Sequence, residues 1–162
     1  MSLDLDEWAP REWRDEEVLY AEVVDESGLR AYAEVNAAYW ELDDEYRDLA
    51  LQLNRHWSGE RAPGRRWVAY LEKQPIAKAF LSFSALPRIA AIDGMAVRPE
   101  ARGRGVGGTL TDILLEAAKT ERCRRVVLHS SEMAVNVYRR AGFVERCEFR
   151  FFATAPIWSG EH

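Results

Sequence analysis

Four glycines within six residues, Gly103, Gly105, Gly107 and Gly108, constrain this chain more than any other feature. They follow an apolar run, Ile89–Val97, closed by Arg98-Pro99, where the residue before proline is biased away from helix. They lead into Val106, Leu110, Ile113, Leu114, Ala117 and Ala118, whose spacing marks a helix packed on a sheet. Strand, glycine turn and helix are thereby placed in one order. Such a turn leaves several backbone N–H groups pointing one way at a helix N-terminus, where the helix dipole favours negative charge. The segment Arg102-Gly103-Arg104-Gly105-Val106-Gly107-Gly108-Thr109 reads as a cradle for a phosphate or pyrophosphate.

The rest of the chain supplies a mixed α/β frame for that unit. Residues 1–17 are charged, carry Trp8 and Trp13, and are expected to form an irregular or partly helical extension that pins its tryptophans onto the body. A first strand is expected over Val18–Val24. Asp25-Glu26-Ser27-Gly28 then offers cap chemistry before a helix over Leu29–Trp40, and a second helix is expected from Asp44 to His56. Ser58–Gly64 reads as a loop. Trp67–Leu71 and Ile76–Ser84 form a hairpin around Glu72-Lys73-Gln74-Pro75. Downstream of the glycines, Arg125–His129 reads as a buried strand. Ser131 reads as the N-cap of a helix through Ala134, Val137, Tyr138 and Ala141, closed by Gly142 in the left-handed conformation, with Phe143 packed back on the last turn. Phe143–Thr154 is expected to give two more strands. One domain over residues 18–158 is expected, and 162 residues suffice for one sizeable core.

Charge and cysteines narrow the function classes. A net charge of −5 offers no broad basic face for nucleic acid. No apolar run approaches the roughly 20 residues that span a bilayer, and the acidic N-terminus lacks an apolar signal core, so a cytoplasmic protein is expected. Cys123 and Cys147 have neither metal-ligand spacing nor a disulfide framework, so no metal is expected.

Three phosphate loops compete. A P-loop requires a lysine before Thr109, and Gly108 stands there. Gly103, Gly105 and Gly108 match Gly-x-Gly-x-x-Gly, but Arg98–Arg102 separate them from the strand, and Arg125–His129 ends without the acid that grips a ribose. The third reading fits every residue. Val97-Arg98-Pro99-Glu100-Ala101-Arg102-Gly103-Arg104-Gly105-Val106-Gly107 resembles the acetyl-CoA signature of the GNAT superfamily of N-acetyltransferases, with Arg102, Gly105 and Gly107 at its defining positions. Ser131–Phe143 resembles the same family's second motif, a helix ending in Tyr-x-x-x-Gly-Phe.

That resemblance implies a single GNAT-like α/β domain: a central, mostly antiparallel twisted sheet, about four helices, and a splayed strand pair that holds acyl-CoA. It implies that acetyl-CoA is the acyl donor and that amides from Arg102 to Thr109, through Gly103, Arg104, Gly105, Val106, Gly107 and Gly108, hold its pyrophosphate. The pantetheine arm would run along Met95, Ala96 and Val97, with Ser131 standing where many relatives carry asparagine. Tyr138 matches the tyrosine that many members use to protonate the leaving thiol, the competing reading being an aromatic that only packs. Asp93, taken to share strand parity with Met95 and Val97, is the candidate base, the competing reading being a solvated strand residue. Trp40, Glu41 and Asp43, at the junction of the first two helices, suit a cationic amine, small-molecule or peptide, and serve equally as an acidic helix cap. His56 and His129 read as satisfied structural histidines, and Arg122, Arg124 and Arg125 as a basic turn or a contact for a 3′-phosphate. A non-catalytic acyl-CoA-binding domain is the alternative function. The apolar stretch Phe149–Trp158 completes the sheet or pairs with a second copy of the chain.

Overall fold

The computed structural model describes residues 1–11, 15–56, 62–84, 86, 88–150 and 152. In chain order the elements are β1 (Ser2–Asp4), β2 (Val18–Glu22), α1 (Glu26–Tyr39), α2 (Asp44–His56), β3 (Gly64–Leu71), β4 (Gln74–Phe83), β5 (Ile89–Val97), a 3-10 turn (Pro99–Ala101), α3 (Val106–Thr120), β6 (Arg125–Leu128) and α4 (Val135–Arg140). The strands form one sheet in the order β1-β6-β5-β4-β3-β2. All its pairs are antiparallel except β5 with β6. The fold is the GNAT-like mixed α/β domain that the two motifs imply.

Local chemistry explains most boundaries. α1 starts three residues before the expected Leu29 because Asp25 itself is the cap, its carboxylate accepting the Gly28 N–H at 2.8 Å. That bond, with the Ser27 hydroxyl, holds the Asp25 pKa below the usual carboxylate range. The β3–β4 turn needs only Glu72 and Lys73, both left-handed at φ 49° and 68°, the twist that closes a two-residue hairpin. β4 therefore begins at Gln74, and Pro75 sits opposite Tyr70 beside a bulge, where no ladder N–H is required. Gly64 admits no side chain, since a Cβ there would collide with the Leu81 carbonyl. Part of the expected Ser58–Gly64 loop, residues 58–61, lies outside the described residues.

α3 lies on one sheet face, where Leu110, Leu114 and Leu115 are buried in one cluster with Ala77, Leu81, Ala90, Ile92 and Val126. α1 covers the other face, with Tyr32, Ala33 and Val35 buried; Leu29 and Ala33 also receive Leu51 of α2.

Two expectations are corrected at the β6 edge. Ser2–Asp4 is not irregular or helical but an antiparallel strand against Val127–Arg125. Trp8 does pin that segment, being 7% exposed within the main core, while Trp13 falls outside the described residues. The two strands expected over Phe143–Thr154 do not form among the described residues there. Val144 makes a single bridge to Ser2, and the following Glu145, Arg146, Glu148 and Arg150 are exposed. The physical reason is occupancy: β1 already holds the hydrogen-bonding edge of β6, so the later segment finds only the far side of a three-residue strand.

Candidate functional site

Two irregularities of β5 create the site. β5 and β6 pair only from Ile89/Arg125 to Ile92/Leu128, and beyond Ile92 the edge of β5 that faced β6 has no strand partner among the described residues. Against β4, the register shifts between Lys78/Ala96 and Phe80/Asp93, so β5 carries one extra residue at Gly94–Met95. Gly94 takes φ +54°, which glycine adopts at little cost. The bulge reverses the side-chain alternation. Ala90 and Ile92 before it, and Met95 and Val97 after it, all pack with the α3-side core. Asp93 does not share their face. It pairs with Phe80, which packs under Arg66, and it accepts the Ser82 Oγ–H at 2.6 Å on the α1 side.

The open edge of β5 borders a cleft of about 380 Å³ lined by Tyr39, Met95–Val97, Ala101–Gly103, Gly105–Gly108, Ser131, Met133, Ala134, Val137, Tyr138 and Arg140. Ten of the sequence-derived cofactor positions meet there. Arg104 and Thr109 do not.

At one end of the cleft the chain leaves β5 through a 3-10 turn and enters α3 with Gly103 at φ +80° and Gly105 at φ +75°, the latter being the N-cap with no side-chain bond. The N–H groups of Arg102 and Thr109 bond Pro99 and Gly105 carbonyls. Those from Gly103 to Gly108 have no acceptor among the described residues. The cradle is thus narrower than the expected Arg102–Thr109, because its first amide closes the 3-10 turn and its last begins the helical ladder. A Cβ on Gly107 would lie 3.7 Å from Val97 and 3.9 Å from Met95, which places that position on the cleft wall. The Arg102 guanidinium folds against the Val97 carbonyl, Nε donating at 3.4 Å. The Arg104 guanidinium turns away, to Asp15 at 2.9 Å and Glu17 at 2.6 Å. Arg11 likewise crosses the first turn of α3, donating to the Gly108 carbonyl and to Asp112. Sequence periodicity carries no sign of this N-terminal strap.

At the other end stands Tyr138, 5% exposed, with its ring edge-on to Phe143 at 5.8 Å and its Oη donating to Met95 Sδ at 3.7 Å. Burial, and then the nearby Tyr39 phenol, push its pKa up to about 12, so it carries its proton throughout the physiological range. Gly142 closes α4 at φ +96°, and the Phe143 N–H returns to the Tyr138 carbonyl, as the C-terminal motif requires. Ser131 lines the cleft but does not cap α4. Its carbonyl accepts the Ala134 and Val135 N–H groups in a preceding turn, and the helix starts at Val135.

The acceptor residues read from the α1–α2 junction are not brought into the cleft. Trp40 packs edge-on against Tyr39 at 5.0 Å, Glu41 takes a left-handed turn conformation, and Asp43 accepts the Tyr46 N–H at 3.0 Å to cap α2. Tyr39, one residue earlier, does line it. Its place at the end of α1 was visible; its orientation toward Tyr138 depends on how α1 seats on the sheet. His129 is exposed and stacks on Phe149 rather than serving the core. Arg124 and Arg125 pair with Asp6 and Asp4. Among the described residues no cluster of His, Cys, Asp or Glu could hold a metal, and no helix is long and apolar enough to cross a membrane.

The family model described as acetyltransferase (GNAT) family matches residues 29–143. Among solved structures, an acetyltransferase of Trypanosoma brucei is 22% identical, with a TM-score of 0.69 over 84% of this chain and 99% of its own. A predicted acetyltransferase of Clostridium acetobutylicum, solved with acetyl-CoA, is 19% identical, with a TM-score of 0.67 over 84% of this chain and 96% of its own. The aminoglycoside antibiotic 6′-N-acetyltransferase of Acinetobacter baumannii is 20% identical, with a TM-score of 0.67 over 85% and 98% of the two chains. At these identities the likeness establishes the fold. A comparison with curated protein sequences finds no match.

Proposed function

Because the chain belongs to the GNAT acetyltransferase family, we propose that it transfers an acetyl group from acetyl-CoA to a primary amine by direct attack. The observation that carries this reading is the run of six main-chain N–H groups, Gly103 to Gly108, without acceptors among the described residues, at one end of a cleft that ends at a buried, protonated tyrosine. Donors without acceptors at a helix N-terminus fit a pyrophosphate, and the fit needs no side chain from the glycines. The donor supplies an acetyl group already activated as a thioester.

The chain's residues do the rest. Gly103–Gly108 grip the phosphates. The unpaired edge of β5 at Met95–Val97 takes the pantetheine amides as an added strand would, with Ser131 and Val137 on the opposite wall. A main-chain N–H at this edge stabilises charge developing on the thioester carbonyl oxygen. Tyr138 protonates the leaving sulfur. Asp93, on the α1 side of the bulge, meets the incoming ammonium directly or through water. Tyr39, which lines the cleft, borders the approach of the amine, a small molecule or peptide; Trp40, Glu41 and Asp43 lie outside the cleft.

Thermal denaturation with acetyl-CoA, NAD or ATP, followed by free-thiol release with spermidine, kanamycin, L-lysine and a lysine-bearing peptide, tests the assignment. Acetyl-CoA at 100 times its Kd is expected to add about 2.7 kcal/mol to stability, and at least one amine to release thiol. Stabilisation by NAD or ATP alone would overturn the cofactor; binding without turnover on any amine would leave an acyl-CoA-binding domain.

The N-terminal strap has its own expected effect. Asp15 and Glu17 occupy the guanidinium of Arg104, the arginine central to the phosphate loop. The double substitution Asp15→Asn with Glu17→Gln is expected to tighten acetyl-CoA binding by about three- to tenfold at low salt, an advantage that shrinks by 0.5 M salt. Isothermal calorimetry at two ionic strengths reads this. Weakened binding would mean that the acids hold the loop in shape rather than compete with phosphate.

A further inference from the structure

Lys78 is the one lysine buried in this chain, at 5% exposure, and no motif accounts for it. It sits in the middle of β4 opposite Ala96, at the edge of the β5 bulge, and points to the α1 face. Its Nζ donates to Tyr32 Oη at 3.4 Å and lies 4.6 Å from that ring's centroid. No carboxylate pairs with it among the described residues. The groups that face it are Tyr32 from α1 and Arg66 from β3; Asp93 of β5 acts on Tyr32 and is already bonded by Ser82. A leucine or methionine would fill the same volume without the cost of burying an ammonium, so packing alone does not explain a lysine here.

Beside Nζ the wall is open. Gly94 is exposed, and a Cβ on it would fall 3.2 Å from Nζ and 3.9 Å from Tyr32 Oη. The missing side chain leaves a path from the bulge, which borders the cleft through Met95, to the lysine nitrogen. Burial first, and then the charge of Arg66, lower the Lys78 pKa to about 8, so a usable fraction is uncharged near neutrality.

We propose that Lys78 is the group that takes the proton from the acceptor amine, across Gly94. This rests on the amine-acetylation reading. The acceptor nitrogen bonds the acetyl carbon as the carbon–sulfur bond breaks, with its electron pair going to sulfur. Tyr138 protonates that sulfur, uncharged Lys78 takes the proton lost by nitrogen, and both exchange with solvent. The net release is one proton per acetylated ammonium. Asp93 draws the ammonium in, solvent takes its first proton before attack, and Lys78 takes the second as the amide forms.

The sequence holds three lysines, Lys73, Lys78 and Lys119, which makes a direct test simple. Trace labelling of the wild-type protein with acetic anhydride from pH 6 to 11, read peptide by peptide, is expected to show Lys78 titrating near 8. Titration of Lys78 at the ordinary lysine value of about 10.4 overturns the proposal and needs no variant. With whichever panel amine turns over, kcat/KM is expected to rise with pH through the same value and then level. Lys78→Met is expected to lose about 100-fold in kcat/KM at pH 8.5, with acetyl-CoA affinity unchanged by calorimetry. Lys78→Arg is not expected to rescue it, because a guanidinium holds its proton there. Rescue by arginine would show that only a positive charge matters, and a fully active Lys78→Met would show that no proton passes through the site. Either result overturns this proposal alone. Failure of wild-type protein to bind acetyl-CoA overturns the acetyltransferase reading, and this one with it.

Discussion

Tyr138→Phe is expected to lower kcat by about 100-fold while leaving acetyl-CoA affinity within about twofold. The phenyl ring retains what Tyr138 contributes to packing, namely its burial in the main core and the edge-on contact with Phe143. What disappears is one hydroxyl, whose only hydrogen-bond partner among the described residues is the weak acceptor Met95 Sδ. A buried phenol left with so poor a partner is available to a better one, the sulfur that leaves when the thioester breaks. The raised pKa sets the sign of the pH dependence. The active form is protonated, a pKa of about 12 moves its loss far into alkali, and no fall in kcat from this group is expected up to about pH 11. Free-thiol release at saturating substrates, beside calorimetry with acetyl-CoA, separates the two quantities. Equal turnover would remove the acid role and leave Tyr138 as cleft wall.

Gly107→Asp is expected to separate stability from cofactor binding in opposite directions. Gly107 is the second residue of α3, and space for a Cβ exists at ordinary contact distance from Val97 and Met95. A carboxylate in the first turn of a helix, replacing a flexible glycine, stabilises by roughly 0.5–2 kcal/mol in all. The same carboxylate stands among the amides of Gly103–Gly108. There it satisfies donors meant for phosphate and repels the pyrophosphate. At about 4 Å and an effective dielectric near 20, that repulsion is on the order of 4 kcal/mol per charge pair, so acetyl-CoA affinity is expected to fall by at least about 100-fold. An unchanged or raised Tm together with lost binding supports the cradle. Retained affinity would mean that the phosphates are held elsewhere.

The readable part of this protein was the part made by neighbours in sequence. Four glycines and a following apolar stripe are enough to specify strand, turn and helix. Left-handed residues and caps act within a few positions, which is why α2, the β3–β4 hairpin and the Tyr138–Gly142–Phe143 ending of α4 lie where periodicity and end chemistry put them. Tyr138 and the glycine loop meet in one cleft because both motifs close on the same splayed strand pair.

What periodicity missed depends on partners distant in the chain. Ser2–Asp4 has no pattern of its own in three residues; it is a strand because β6 offers an edge, and the same occupancy leaves residues 145–150 without a sheet to join. One extra residue in β5 turns Asp93 from the face of Met95 to that of Tyr32, and alternation counted along a single strand cannot register a bulge defined by two. Tyr39 reaches the cleft, and Arg104 is drawn from it, through packing of α1 and through acids nearly ninety residues away. Sequence alone determined the glycine turn and its helix, since hydrogen bonding and backbone sterics there are local. Tertiary structure decided which side chains face the reaction, because face and edge are properties of paired strands and not of either strand alone.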